Sequence, residues 1–570
     1  MPNGSDAPAK EHDEVRAELT APGAPFEMIE VDVRGTRIRA WRNAPPSLRA
    51  LIENTRSYSE RDFLVYGPER ITYGTVFRRI AGLAHELIST YGIGKGDRVA
   101  IAMRNLPEWP IAFFAAACAG AIVVPLNAWW AAPELEFGLR DSGARVLIAD
   151  RERLDRLGEV LPALGTPTLV ARPGRPLPAG VRDLAQVGPA NTLPDVALEP
   201  DDGATIFYTS GTTGTPKGAF GTHRNICGNA ISVGYAVARG RLRQGASLAE
   251  LTAPATPAVT LMAVPMFHAT GCHSLLLAAA HTGATLVLMH KWDPGVALEL
   301  IERERVTGFT GVPAMLQQLY AHPDFARRDI SSLLVVGSGG APTPPALVAR
   351  SRRLLPGVMV GNGYGLTETS SLTTANRGID FLIRPDSVGQ PVPICDLRVV
   401  DPVTGEELPT GEIGELWIKG ANVVAGYWNR PDATAEAIVD GWLRSGDLAR
   451  MDEEGFVSIV DRAKDMLIRG GENVYSAEVE AAIHEHPAVA DCAVIGIPHE
   501  ALGEEVGAVV QLAEGADLAA GELSEFLTGR IAHFKIPARV WTRRDELPRN
   551  AAGKVLKPQL RAELSLADQP

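Results

Sequence analysis

Residues 208–218 read YTSGTTGTPKG, a stretch built to hold phosphate. Gly211, Gly214 and Gly218 let backbone N–H groups approach an anion closely. Ser210, Thr212 and Thr213 offer hydroxyl donors, and Lys217 adds a point charge. Two common nucleotide loops are excluded. A Walker loop places Ser or Thr directly after its lysine, whereas Lys217 is followed by Gly218 and the glycine spacing differs. A dinucleotide fingerprint needs G-x-G-x-x-G after a strand, which this stretch lacks. A flexible linker would explain the small residues, but not Pro216-Lys217 or the strand-like ATIFY before them. From this stretch alone the residues favour a polyphosphate grip, with a flexible linker as the alternative.

Composition narrows the setting. With 570 residues the chain exceeds one hydrophobic core, so two or more domains are expected. Hydrophobic content of 45% and charged content of 22% are ordinary for a globular protein. A net charge of −13 speaks against a nucleic-acid partner, although a local cationic cluster can still hold an anion. Cys118, Cys227, Cys272, Cys395 and Cys492 are dispersed, without metal-ligand or disulfide spacing, which suits the cytoplasm. The N-terminus is polar and acidic with no apolar signal core, and residues 1–12 are expected to be disordered. Trp109 to Trp130 carries no charge over 22 residues. Gly120 and Pro125 divide it, so the expectation is a buried helix followed by a buried strand rather than a membrane span.

The elements that must position this loop alternate in type. Short apolar strands at 98–103, 144–150, 284–289 and 332–337 are interleaved with helical patterns such as YGTVFRRIAGLAHELISTYG. That alternation indicates a layered α/β architecture. Between 396 and 461 short strands separated by Gly, Pro and Asp indicate a small β-rich subdomain. The last hundred residues or so read as a smaller α+β domain. The expected division is 13–463 and 464–570, with an amphipathic helix near 476 that Ser476 could cap. The 242–259 segment is expected to be a surface loop.

The loop, taken with seven later segments in order, resembles the adenylate-forming superfamily: acyl-CoA synthetases, luciferases and the adenylation domains of peptide synthetases. The segments are PMFHATG (265–271), GSGGAP (337–342), NGYGLTE (362–368), GELWIKG (414–420), RSGDLA (444–449), DRAKDMLIRGGENVY (461–475) and PRNAAGK (548–554). They span roughly residues 50–560. The resemblance implies an acyl-CoA synthetase of the fatty-acid–CoA ligase branch. Such an enzyme uses MgATP to make an acyl adenylate and pyrophosphate, then transfers the acyl group to CoA. It implies that Thr209, Ser210, Gly211, Thr212, Thr213, Gly214 and Lys217 grip the departing phosphates. Gly339, Gly340, Ala341, Asn362, Gly363, Tyr364 and Gly365 would form the nucleotide site, with Tyr364 against adenine. Thr367 would meet the α-phosphate, Glu368 the magnesium ion, Asp447 the ribose and Arg462 the nucleotide. Lys554 would meet the carboxylate and α-phosphate, Lys464 would be the hinge of a mobile small domain, and Gly470 and Gly471 would border the CoA tunnel. His268 would gate the acyl pocket.

Segments 268–275, 310–315, 337–342 and 362–370 should line that pocket, and Glu368 is their only acidic residue. A substrate ammonium would lack a partner, so the expected acid is apolar away from its carboxylate. Small residues leave volume for a medium- or long-chain fatty acid or a bulky polycyclic or aromatic acid. Loading of a carrier protein, and a non-catalytic nucleotide-binding role, are the competing readings; a homodimer is left open. Three departures from the family pattern stand out: a longer stretch between His223 and Pro265, Ser476 where proline is common, and an extension before residue 50.

Overall fold

The computed structural model describes residues 10–209, 216–253, 256–341, 343–463, 465–470, 472–499, 502–519, 521–550 and 553–567. Its larger part holds two big sheets. One has eight strands; its parallel centre (Ile122–Pro125, Arg98–Ala102, Val146–Asp150 and Thr168–Ala171) is flanked by the antiparallel pair Gly203–Thr209 and Lys217–Thr222. The other has nine strands, with Val335–Gly339 and Met359–Tyr364 parallel neighbours near one end. This is the layered α/β arrangement that the alternating pattern predicts. A five-stranded sheet from Cys395 to Arg462 follows, and a separate five-stranded sheet lies within 467–543.

The main core joins both large sheets. Phe63 and Leu64 of one and Val99, Ile101 and Val123 of the other share a buried cluster with helices Tyr73–Ser89 and Glu108–Cys118. The charge-free run resolves as expected into the Glu108–Cys118 helix and the Ile122–Pro125 strand. Gly120 turns the chain between them with φ +83°, a conformation that favours glycine. Trp109 and Phe113 stack inside at 5.3 Å, and burying such large rings is a major apolar contribution from a helix this short. Among the described residues no helix is long and apolar enough to cross a membrane.

Three sequence expectations meet a different outcome. Of the stretch 1–12 expected to be disordered, residues 1–9 lie outside the described residues, but a helix starts at His12. It is held because Val15 and Leu19, one turn apart, bury themselves against the long helix His223–Arg243. The 242–259 segment is not simply a loop: the preceding helix runs to Arg243, and Leu248–Thr252 forms another. Ser247 and Glu250 make a reciprocal capping box there, a signal present in the sequence but hidden by its composition. Ser476 does not cap its helix from outside. It is the first helical residue, fully buried, and donates from its backbone and hydroxyl to Asp461.

Close backbone packing sets limits of its own. Gly82 sits mid-helix in Tyr73–Ser89, and a Cβ there would lie 1.9 Å from the Gly188 carbonyl oxygen. Alanine favours a helix over glycine by about 1 kcal/mol, while overpacking costs about 1–3 kcal/mol. We therefore expect Gly82→Ala to lower the thermal unfolding midpoint despite the better helix propensity; a raised midpoint would contradict the packing argument.

Candidate active site

The described flanks of the phosphate-loop stretch belong to the antiparallel pair Gly203–Thr209 and Lys217–Thr222. Thr209 ends one strand directly opposite Lys217, which begins the next; Ser210, Gly211, Thr212, Thr213 and Gly214 lie outside the described residues. Gly218 is required by close strand packing, since a Cβ would meet Ile206 Cγ2 at 2.5 Å. One step back from that end, the Tyr208 hydroxyl donates to Asp141 Oδ2 at 2.8 Å; Arg430 pairs with the other oxygen of Asp141. Lys217 Nζ lies 5.3 Å from the centre of the Tyr427 ring. The Tyr427 hydroxyl donates to Glu368 Oε1 at 2.8 Å. Sequence reasoning missed Asp141, Tyr427 and Arg430, because their partners are 59 or more residues away.

Glycines crowd the neighbouring strand ends. Gly339 closes one strand, Gly340 turns with φ +79°, and Ala341 follows half-buried. Asn362 is buried, and its amide donates to the Ser387 carbonyl at 3.1 Å, which ties it to the scaffold. A Cβ on Gly363 would press Leu372 Cδ1 at 2.9 Å, and one on Gly365 would overlap the Ser371 carbonyl at 1.6 Å. Thr367 and Glu368 lie on a short 3-10 turn. Ser370 and Ser371, just beyond, adopt left-handed backbones at φ +53° and +94°. Such non-glycine conformations cost about 1–3 kcal/mol each and persist only where the surroundings impose them.

One carboxylate draws the rest together. Asp447, 3% exposed, accepts the Tyr364 hydroxyl on Oδ2 at 2.7 Å. Its Oδ1 lies 3.2 Å from Arg462 Nε, the residue directly across the antiparallel ladder. Burial first, then the Asp447 charge, hold the Tyr364 phenol well above its ordinary range. Lys554 belongs to the same cluster. Burial pushes its ammonium down to about 8, Arg462 pushes the same way, and Asp447, Glu368 and Asp465 oppose them. Its loop is closed by Lys554 N donating to Asn550 Oδ1 and Asn550 N donating to the Lys554 carbonyl, both at 2.9 Å. Gly553 rests on the larger part of the chain, where an added Cβ would lie 3.0 Å from Val312 Cγ2.

The structure therefore brings Lys217, Tyr364, Glu368, Asp447, Arg462 and Lys554 into one connected region. It does not bring Gly470 there: that glycine, at φ +60°, turns a hairpin and donates its N–H to the Leu502 carbonyl at 2.8 Å. Gly471 and Lys464 lie outside the described residues. His268 is half-buried beside Phe267, its backbone N–H donating to Pro265. Immediately after it, Thr270–Leu276 forms a π-helix, a form often found at functional sites. That helix buries His273 edge-on to Phe207 at 4.7 Å. Burial pushes the imidazole down to about 3, so it is neutral at neutral pH. Among the described residues no well-formed hydrogen bond reaches either ring nitrogen or the buried Ser370 hydroxyl; the Ser370 backbone is the polar influence on the ring. Ser274 and Ser371 hydroxyls meet at 2.8 Å, and Asn229 links Ser274 to the Leu372 N–H. Sequence reading passed over His273, although it falls within the segment assigned to the acyl pocket.

A divalent ion fits this donor set in one way. Among the described residues no group of three or more His, Cys, Asp or Glu side chains could hold a metal. A single carboxylate, Glu368, with the remaining ligands from phosphate oxygens and water, matches how magnesium binds with nucleotides.

The family described as AMP-binding enzyme matches residues 51–428, and its C-terminal domain matches 478–554. A feruloyl-CoA synthase of Amycolatopsis sp is 40% identical, the match covering 87% of this chain and 94% of that protein. The long-chain-fatty-acid–CoA ligase FadD13 of Mycobacterium tuberculosis is 35% identical, with 93% and 98% covered. The o-succinylbenzoate CoA synthetase of Bacillus subtilis, solved with its acyl-adenylate intermediate, superposes with a TM-score of 0.75 at 29% identity, covering 90% of this chain and 98% of that one. The chain belongs to the AMP-binding enzymes of the adenylate-forming superfamily, in the acyl-CoA synthetase branch, as an AMP-forming acid–CoA ligase.

Proposed function

We propose that the acid this ligase activates is a bulky aryl acid carrying an oxygen substituent. The observation behind this reading is the buried, under-bonded pair of His273 and Ser370, next to the Asn229–Ser274–Ser371 chain. Among the described residues the Ser370 backbone is the one polar influence on the His273 ring, and the Ser370 hydroxyl is likewise under-bonded. An under-bonded buried polar group costs about 1–3 kcal/mol, and an alkyl tail would leave that cost in place. A phenol or methoxy oxygen would relieve it. The resemblance to a feruloyl-CoA synthase points the same way.

In this reading the acid's carboxylate attacks the α-phosphorus of ATP in line, and pyrophosphate leaves. The Thr209–Lys217 loop holds the departing phosphates, and Thr367 meets the α-phosphate. Glu368 would hold magnesium, which would supply neutralising charge at the phosphates. Asp447 takes the ribose hydroxyls, using the lone pairs not committed to Tyr364 and Arg462. Lys554 supplies the cation where negative charge develops. The CoA thiolate then attacks the acyl carbonyl and AMP departs. For that step the part of the chain beyond Lys464 reorients, bringing Gly470 and Gly471 toward the pantetheine path while His268 gates the acyl side. We place the reaction in the cytoplasm, where the five free, buried cysteines would stay reduced.

Pyrophosphate release across fatty, unsubstituted aryl and hydroxylated aryl acids tests the substrate. A hydroxylated aryl acid should exceed its deoxy analogue at least tenfold in kcat/KM, and His273→Leu should erase that margin. Faster turnover of long-chain fatty acids would refute the reading. Lys554→Ala should slow pyrophosphate release about 100-fold or more, yet leave transfer from a supplied acyl adenylate to CoA within a few-fold. Equal loss in both steps would sink the two-orientation scheme. The pH dependence has a definite sign: Lys554 acts as an ammonium and loses its proton above about 8, so kcat/KM for adenylation should fall as pH rises through that value. Lys554→Arg should move that limb upward; an unmoved limb would assign it to another group.

A further inference from the structure

Tyr427 has no place in the sequence-derived site, yet it touches two of its members. It belongs to a two-residue strand, Gly426–Tyr427, that pairs with the phosphate-loop return strand, setting Tyr427 opposite Ala219. Its hydroxyl meets Glu368 Oε1 at 2.8 Å, and its ring lies beneath Lys217 Nζ at 5.3 Å. The surrounding backbone is fixed from several directions. Tyr427 N–H donates to Thr434 Oγ1 at 2.8 Å, Ala425 N–H to the Phe220 carbonyl at 2.8 Å, and Val424 N–H to the Glu368 carbonyl at 3.0 Å. Both the carboxylate and the aromatic ring are thus held by the same short segment.

We propose that Tyr427 is a positioning residue for magnesium-bound ATP: its hydroxyl orients the Glu368 carboxylate while its ring face holds the Lys217 ammonium. The hydroxyl occupies Oε1, which fixes the carboxylate plane and leaves Oε2 to face a cation. A half-buried glutamate on a 3-10 turn would otherwise sample several rotamers. The cation–π contact keeps Lys217 on the phosphate side without neutralising it, as a carboxylate partner would. One residue thereby keeps the metal ligand and the phosphate lysine in register across a strand pair. Groups that orient a metal ligand typically alter metal affinity 10- to 100-fold when removed.

This inference rests on the assignment of magnesium to Glu368, and the test separates the two. Tyr427→Phe keeps the ring under Lys217 and deletes only the hydroxyl. ATP binding is measured by calorimetry, with no acid or CoA present, in saturating Mg2+, over a Mg2+ titration and in EDTA. Tyr427→Phe should raise the Mg2+ concentration needed for half-maximal ATP binding about tenfold or more, while binding in EDTA stays as in the parent. Glu368→Gln should abolish the Mg2+ dependence. If Glu368→Gln acts as stated and Tyr427→Phe matches the parent at every Mg2+ concentration, the role of Tyr427 is overturned. If Glu368→Gln keeps the parental Mg2+ dependence, the metal assignment falls and this inference with it. Loss of ATP binding by Tyr427→Phe in EDTA as well would make the residue structural, and would also overturn the proposal.

Discussion

The site depends on one buried negative charge. Taking a carboxylate out of water is costly unless it is paired and hydrogen-bonded, and removing a partner from such a group leaves the cost uncompensated. Asp447 meets the requirement with Tyr364 on one oxygen and Arg462 on the other. Those partners come from different sheets: Tyr364 ends a strand of the nine-stranded sheet, while Asp447 and Arg462 face each other in the antiparallel subdomain. The carboxylate therefore fixes how two layers of the larger part meet. It also sets the local field in which Lys554 keeps an ammonium despite burial.

Charge sign explains the arrangement further. The chain as a whole is anionic, which would repel a polyphosphate at long range. Within the site Lys217, Arg462 and Lys554 supply cations, each placed near a carboxylate or an aromatic face. Among the described residues none is held in a closed pair that would cancel it for a ligand. The Asp447–Arg462 bridge is open on the arginine side, since Arg462 is 42% exposed. Electrostatic pre-organisation of this kind stabilises charge as it develops, with little reorganisation at the moment of reaction.

The sequence carried the parts whose signal is local. The glycine-rich stretch reads as a phosphate grip from residue types alone, and its departure from the Walker and dinucleotide patterns is equally visible; Ser210 to Gly214 lie outside the described residues. The alternation of strands and helices gave the layered class, and the resemblance carried the ordered motifs to Tyr364, Glu368, Asp447 and Lys554. What stayed hidden depends on long-range pairing. Tyr427 reaches Glu368 across 59 residues and Asp141 reaches Tyr208 across 67, with no periodicity to announce either. Ser476 reads as a cap because serine favours that position; its bond to Asp461 across 15 residues overrode the propensity. The helix at Leu248–Thr252 was legible in its capping box but masked by small residues around it.

In the proposed scheme the Lys554 loop sits against the larger part for adenylation and must leave for thioester formation. A disulfide tests this directly. A Cβ on Gly553 would lie 3.4 Å from Val312 Cβ, close to the separation a disulfide spans, about 3.5–4.5 Å. The five native cysteines are buried and should not compete. With Val312→Cys and Gly553→Cys combined, the oxidised enzyme should release pyrophosphate and retain acyl adenylate, yet form acyl-CoA only after reduction. Acyl-CoA formation by the oxidised enzyme at the reduced enzyme's rate would contradict the account.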